Sequence, residues 1–251
     1  MKASTKPTYR SRSLLSTILI AVLLSAAGTA FAEKEKPVRI VAPDAKFRGK
    51  TYPEWAAKFW QWMMALPLEG HPMIDDPNFD FTATQSGGVW YWAAPDGPLT
   101  RSFTMPEGTA FFLTIRDVET STLEPVPFFG ATEAEQRANS NWFADHIDRV
   151  ECTINGVNVD NIRDFRFETP QFEFTAPTPW IFAETGGTGT AVGDGYFLMI
   201  LLPKGKHTIT YFGNYHFDAG EAFPGTSEPF TEPFDLPHQA TIEITVTGDD
   251  Q

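Results

Sequence analysis

Val150-Glu151-Cys152-Thr153-Ile154-Asn155-Gly156-Val157-Asn158-Val159 decides the fold class. Val150, Cys152 and Ile154 alternate with polar neighbours, the period of a strand with one dry face and one wet face. Asn155-Gly156 then separates two such runs, and both central positions of a type I′ turn need positive φ, which these two residue types reach at least cost. The stretch reads as a β-hairpin. Its one cysteine, the only one in the chain, alternates with Val150 and Ile154. It is expected buried as a small hydrophobe, and no intrachain disulfide can form.

The same alternation recurs over residues 89–92, 102–105, 109–116, 164–168, 171–175, 196–202, 207–212 and 240–246. Phe165/Phe167 and Phe172/Phe174 alternate with Arg166, Glu168 and Glu173 in the same way. Two segments carry a helical period instead. Thr51-x-x-Glu54 has capping-box spacing, and Trp55, Phe59, Trp62 and Met63 follow at helical intervals, apolar nearly all round. Thr132-x-x-Glu135 is a second capping box, with Ala134, Ala138, Trp142 and Ile147 as the expected apolar stripe. Pro106-x-Gly108 and Pro203-x-Gly205 read as turns between hairpin strands. Residues 184–195, rich in glycine, and 218–237, acidic and rich in proline, read as long loops. The expectation is an all-β fold, a two-sheet β-sandwich of jelly-roll or immunoglobulin-like kind, with a buried N-terminal helix and one inserted helix.

Residues 1–32 stand apart. Lys2, Lys6, Arg10 and Arg12 precede an apolar run over 14–27, and Ala30-Phe31-Ala32 follows as an A-x-A cleavage site. A helix over that run would measure ~21 Å, short of the ~30 Å hydrocarbon core of a bilayer. The expected organisation is a signal peptide over 1–32, an N-terminal arm over 33–50 and a single β domain over 51–251. That places a soluble protein, without a membrane span after cleavage, in the periplasm or outside the cell. Loss of the leader removes four of the 19 basic residues and no acid, leaving 15 against 32 Asp+Glu, a formal charge of −17. Such a surface repels nucleic acid. The 22 Phe and 7 Trp provide a large core without covalent staples.

Several blocks resemble those of a group of secreted bacterial proteins of unknown function. They are Trp55-Ala56-x-x-Phe59-Trp60-Gln61-Trp62, Gln85-Ser86-Gly87-Gly88-Val89-Trp90, Arg101-x-Phe103-Thr104-x-Pro106-x-Gly108 and Leu202-Pro203-x-Gly205-Lys206-His207-Thr208-Ile209. The resemblance implies a bacterial exported protein and no particular activity.

The candidate ligand surface is the strand with Trp90 and Trp92, where alternation would put two indoles ~7 Å apart on one face, a platform for sugar rings. Gln85, Arg101 and His71 are its expected polar neighbours. Burial of both indoles in the core is the competing reading. Asp76-x-Asn78-x-Asp80 repeats the first half of a calcium loop, but Phe81 stands where the turn glycine belongs and Gly87 where the bidentate glutamate belongs. An EF-hand is excluded, leaving a looser Ca²⁺ site or an ordinary Asx turn; no other cofactor is expected. Five histidines lack any transition-metal signature, and serine-hydrolase, dinucleotide and phosphate-loop motifs are absent. The expected function is binding of a glycan or cell-envelope component. The alternatives are a structural or assembly role in the envelope and a carbohydrate-active hydrolase using the carboxylates of the 75–80 loop, Asp75 and Asp76, with His71.

Overall fold

The structure, a computed structural model, describes residue 1 and residues 36–74 and 79–248. The signal-peptide segment lies outside the described residues. The described residues from 36 onward form one compact unit, and they are mostly β, with two sheets and two α-helices.

The first sheet is built on β9 (Gly187–Leu201). One side of β9 pairs antiparallel with β4 (Ala110–Ser121), and β4 in turn pairs parallel with β2 (Val89–Trp92). The other side of β9 is covered in succession by β1 (Arg39–Ile40), β7 (Arg166–Glu168) and β8 (Phe172–Ala176). The second sheet runs β3 (Gly97–Pro106), β11 (Phe234–Thr247), β10 (Gly205–Phe217), β5 (Ile147–Ile154) and β6 (Val157–Asn158). Asn155 and Gly156 have φ of 52° and 78°, so the β5–β6 turn takes the left-handed backbone that its sequence requires.

The first helix, α1 (Tyr52–Ala65), lies against β7, β8 and β9. At its start the Glu54 carboxylate accepts from the Thr51 backbone N–H at 2.7 Å and from the Thr51 hydroxyl at 2.9 Å. Tyr52, Ala56, Phe59, Trp60, Met63 and Met64 are its buried face. Phe59 and Tyr52 meet Phe112 of β4, and Phe112 stacks on Phe197 of β9 at 5.6 Å and 16°. Tyr52 also donates its hydroxyl to Val41 O at 2.8 Å and accepts from Met199 N at 3.0 Å, tying helix, arm and sheet together.

Several expectations are corrected. The stripe of α2 (Glu133–Asp145) is Gln136, Ser140, Phe143 and Ala144, while Ile147 already belongs to β5. Its buried polar members are satisfied: Gln136 Nε2 donates to Gly130 O and Thr190 O. Pro106 and Pro203 do not close hairpins, because β3 and β4, like β9 and β10, belong to different sheets. The glycine-rich 187–195 segment is half of β9, and β4 continues five residues past Arg116. Both extensions matter to the site.

Candidate functional site

β2 covers one edge of β4 only as far as Leu113, opposite Trp92. The chain returns to β4 at Ser121, which bridges Phe129. Between these points the edge opens on a cavity of about 540 Å³, the size that holds a small-molecule ligand. Phe59, Trp60 and Met63 of α1 line it from one side, and Phe143 of α2 with Tyr215 and Phe217 of β10 from the other. Val126 and Leu236 stand 50% and 41% exposed on its lining and mark the mouth.

Set into this aromatic wall are three acids, Asp117, Glu119 and Glu124. Opposite residues of an antiparallel pair share a face. Glu119 pairs with Gly193 and Asp117 with Gly195, so both acids face the side where α1 lies, since a Cβ at Gly193 would stand 2.5 Å from Trp60 Nε1. Glycine at 193 lets the indole lie against the sheet. Gly193→Ala is expected to displace Trp60 and cost about 1–3 kcal/mol; thermal unfolding measures it, and an unchanged melting temperature would contradict this seating.

Glu119 is 3% exposed and neither of its carboxyl oxygens accepts from any N–H or hydroxyl. Its partner is the Glu124 carboxyl, and two carboxyls can bond only when one holds a proton. Burial, then the neighbouring Glu124 charge, raises Glu119 well above the usual carboxylate range. Burial lifts Glu124 to about 7, against hydrogen bonds from Glu119 and the Ser121 hydroxyl, the latter at 3.0 Å. Asp117 retains some exposure as a residue, but its Oδ2 is shut away from water and unpartnered. Burial carries its carboxyl to about 7 even with the Arg116 guanidinium nearby.

Arg116 is itself committed. Its Nη1 lies 2.6 Å from Asp96 Oδ1, and its guanidinium covers the Tyr215 ring at 4.3 Å. A chain of polar contacts holds Asp96 from behind. Trp92 Nε1 donates to the Tyr211 hydroxyl at 2.8 Å, and that hydroxyl meets His238 Nε2 at 2.7 Å. His238 Nδ1 lies 3.3 Å from Asp96 Oδ1, an ion-pair contact out of line for a hydrogen bond. Tyr211, already accepting from Trp92, donates to Nε2, which places the neutral ring's proton on Nδ1, on the Asp96 side. Burial works against ionisation of Asp96, yet His238 and Arg116 together outweigh it and bring its carboxyl down to about 2. Asp96 and Arg116 thus form a fixed pair at the cavity wall, and among the described residues no salt bridge reaches the other three acids.

The residues singled out from sequence that the structure describes lie elsewhere. Trp92 is 1% exposed and faces Phe81 and Phe111, while Trp90 is half-buried against Phe103, so the two indoles present no open platform. Gln85 is committed locally: its amide donates to Tyr91 O at 3.0 Å and to the Thr84 hydroxyl at 3.3 Å and accepts from Tyr91 N at 2.9 Å. His71 is fully buried, held by Met63 O and Met73 N; burial lowers its pKa and keeps the ring neutral. Arg101 sits on β3 in the other sheet and donates to Thr100 O. Asp75, Asp76 and Asn78 lie outside the described residues. Asp80 is within them, and its carboxylate accepts from the Thr82 N–H and hydroxyl at the start of a short 3₁₀ turn over Phe81–Thr84. Burial raises the Cys152 thiol to about 12, which leaves it unreactive.

A second polar cluster, Asp148, His216 and Asp235, brings its ligand atoms within 4.8 Å of one another. Asn214 Nδ2 donates to both carboxylates and His216 Nδ1 contacts Asp235 at 2.9 Å. These contacts brace β5, β10 and β11 side by side.

No protein-family model, curated protein or solved structure matches the chain.

Proposed function

We propose that the protein is an exported, soluble binding protein whose ligand enters the cavity beside β4, a small amphipathic molecule with an apolar body and a hydrogen-bond-donating head. Glu119 carries this reading: a buried carboxyl whose oxygens accept from no N–H or hydroxyl and meet only the Glu124 carboxyl, in a cavity lined largely by aromatic and apolar side chains. Leaving one such acceptor unmade costs about 1–3 kcal/mol, and a cost of that kind is typically retained at sites of function. We also read the two sheets as layers of a β-sandwich. The Tyr215 hydroxyl donating to Asp117 O at 3.0 Å, from one sheet to the other, supports that. The leader segment and the acidic surface support export into the periplasm or beyond, where a cell-envelope component would supply the ligand; a glycan remains the polar alternative within that class.

The test is thermal unfolding of the purified protein with small aromatic alcohols, amines and acids, and with soluble oligosaccharides. A ligand at 100 times its Kd adds about 2.7 kcal/mol, several degrees in a chain of this size. The expected result is a shift with the amphipathic compounds that shrinks in Leu236→Trp, which narrows the mouth. Shifts with oligosaccharides alone would overturn the reading. A second reading, a hydrolase, is favoured by the Glu119–Glu124 pair, since two carboxyls sharing a proton can act as acid and base. It predicts turnover lost in Glu124→Gln.

Among the described residues no helix is long and apolar enough to cross a membrane.

A further inference from the structure

We infer that the head group taken by this cavity is an ammonium, so that the ligand is an amphipathic amine whose –NH₃⁺ sits on Glu119 and Glu124 and whose apolar body lies along Phe59 and Trp60. This rests on the cavity being the ligand site and narrows the ligand's chemistry.

The inventory of polar atoms points to it. The buried oxygens on the lining that accept from no N–H or hydroxyl are Glu119 Oε1, Glu119 Oε2 and Asp117 Oδ2, all acceptors once ionised; the buried nitrogens there without a hydrogen-bond partner are Trp60 Nε1, Arg116 Nε and His238 Nδ1. An ammonium brings three donors to one point, whereas a hydroxyl brings one. Arg116 could have supplied the charge from within, but it is engaged by Asp96 at 2.6 Å and packed over Tyr215. α1 contributes to the lining only apolar and aromatic side chains, of which Trp60 is the better cation–π surface. A cation entering this site leaves water for carboxylates and ring faces, the two environments that offset its desolvation. The acidic surface expected of the exported chain would raise the local concentration of such a ligand.

The charged and titratable groups facing the cavity are Asp117, Glu119 and Glu124 from β4 and the turn after it, Asp96 and Arg116 as a closed pair, His238 of β11 and Tyr215 of β10. α2 adds only the Phe143 ring. Burial holds the first three acids protonated to higher pH than usual. An ammonium needs them ionised, so its affinity increases as pH rises from 5.5 to 8, where a primary amine is still charged. A neutral ligand shows no such rise.

The deciding experiment is calorimetric titration of the purified protein with three probes of matched shape: 2-phenylethylamine, 2-phenylethanol and 3-phenylpropionate. At pH 8 the amine is expected to bind at least ten times more tightly than the alcohol, with no binding of the acid. Its affinity should fall tenfold or more at pH 5.5. Glu119→Gln should remove most of the amine's advantage over the alcohol, with circular dichroism confirming the fold. Should that variant not fold, Glu124→Gln and the pH series decide the matter in the same way. Equal binding of alcohol and amine would overturn the ammonium assignment while leaving the cavity as the ligand site. Tighter binding of the acid would overturn it in favour of Arg116, whose Nε is buried and unpartnered. Binding of none of the three would overturn the assignment and the cavity reading together.

Discussion

Phe112→Ala is expected to destabilise the protein by about 3–5 kcal/mol, the range for emptying a buried aromatic site. Phe112 is fully buried on β4, and its ring meets Tyr52 and Phe59 of α1, Tyr91 of β2 and Phe197 of β9. Three elements besides β4 thus lose packing at once, and the rigid sheet and helix can close little of the space. For a chain of this length the melting temperature should drop by roughly 10 °C or more. Circular dichroism during heating would show it, and a loss below about 1 kcal/mol would mean that α1 is not seated on this face.

The second large effect runs in the opposite direction. Glu119→Gln should raise stability at pH 8 by about 2 kcal/mol or more, roughly 4–8 °C, and change it little at pH 5. The sign follows from linkage. Glu119, Glu124 and Asp117 all have folded pKa values above their unfolded ones. Their stabilising contribution is complete below about pH 4, where both states are protonated, and is lost as pH rises through the folded values. At pH 8 the folded chain must either keep a proton that the unfolded chain would release or bury another charge. Glutamine imitates the protonated acid at every pH, and its amide can donate to Glu124. Asp96 works the other way: its folded carboxyl lies near 2, so its contribution is present above about pH 4 and fails below it. Wild-type stability should therefore peak in mildly acidic solution and decline toward pH 8, while the variant's profile is flatter. Equal melting temperatures at pH 8 would show that Glu119 is not held against its own ionisation. The variant pairs higher stability with loss of the cavity's acceptor, the trade-off expected where a buried group serves binding.

Much of the fold was legible because local signals agreed with it. The Asn155-Gly156 turn, the two capping boxes and the alternating strands all mark elements that form. What was hidden shares one physical cause: residues whose usual environment is water or a loop are here packed inside. From sequence β4 reads as ending at Arg116 because Asp117 and Glu119 break an apolar run, yet the strand continues and both acids line the cavity. Residues 184–195 read as a loop because of their glycines, whereas from Gly187 they belong to β9, with Gly193 leaving room for Trp60 and Gly195 for the paired Asp117. Val118 and Thr120, β-branched residues alternating with the acids, were the available sign that the strand runs on. The cavity's other walls come from α1, α2, the turn carrying Glu124, and β10 and β11, an assembly that sequence spacing does not encode. Trp92 drew attention for its aromatic face and contributes through its N–H, as the first link behind Asp96 and Arg116.

The measurement closest to the heart of this account is the infrared spectrum of the carboxyl groups at pH 6, wild type against Glu119→Gln. Carboxyls sharing protons inside the cavity predict a protonated, poorly hydrated C=O band at that pH, lost or diminished in the variant and shifted when 2-phenylethylamine is added at higher pH. A spectrum in which every carboxyl is already ionised at pH 6, identical in the two proteins, would contradict it.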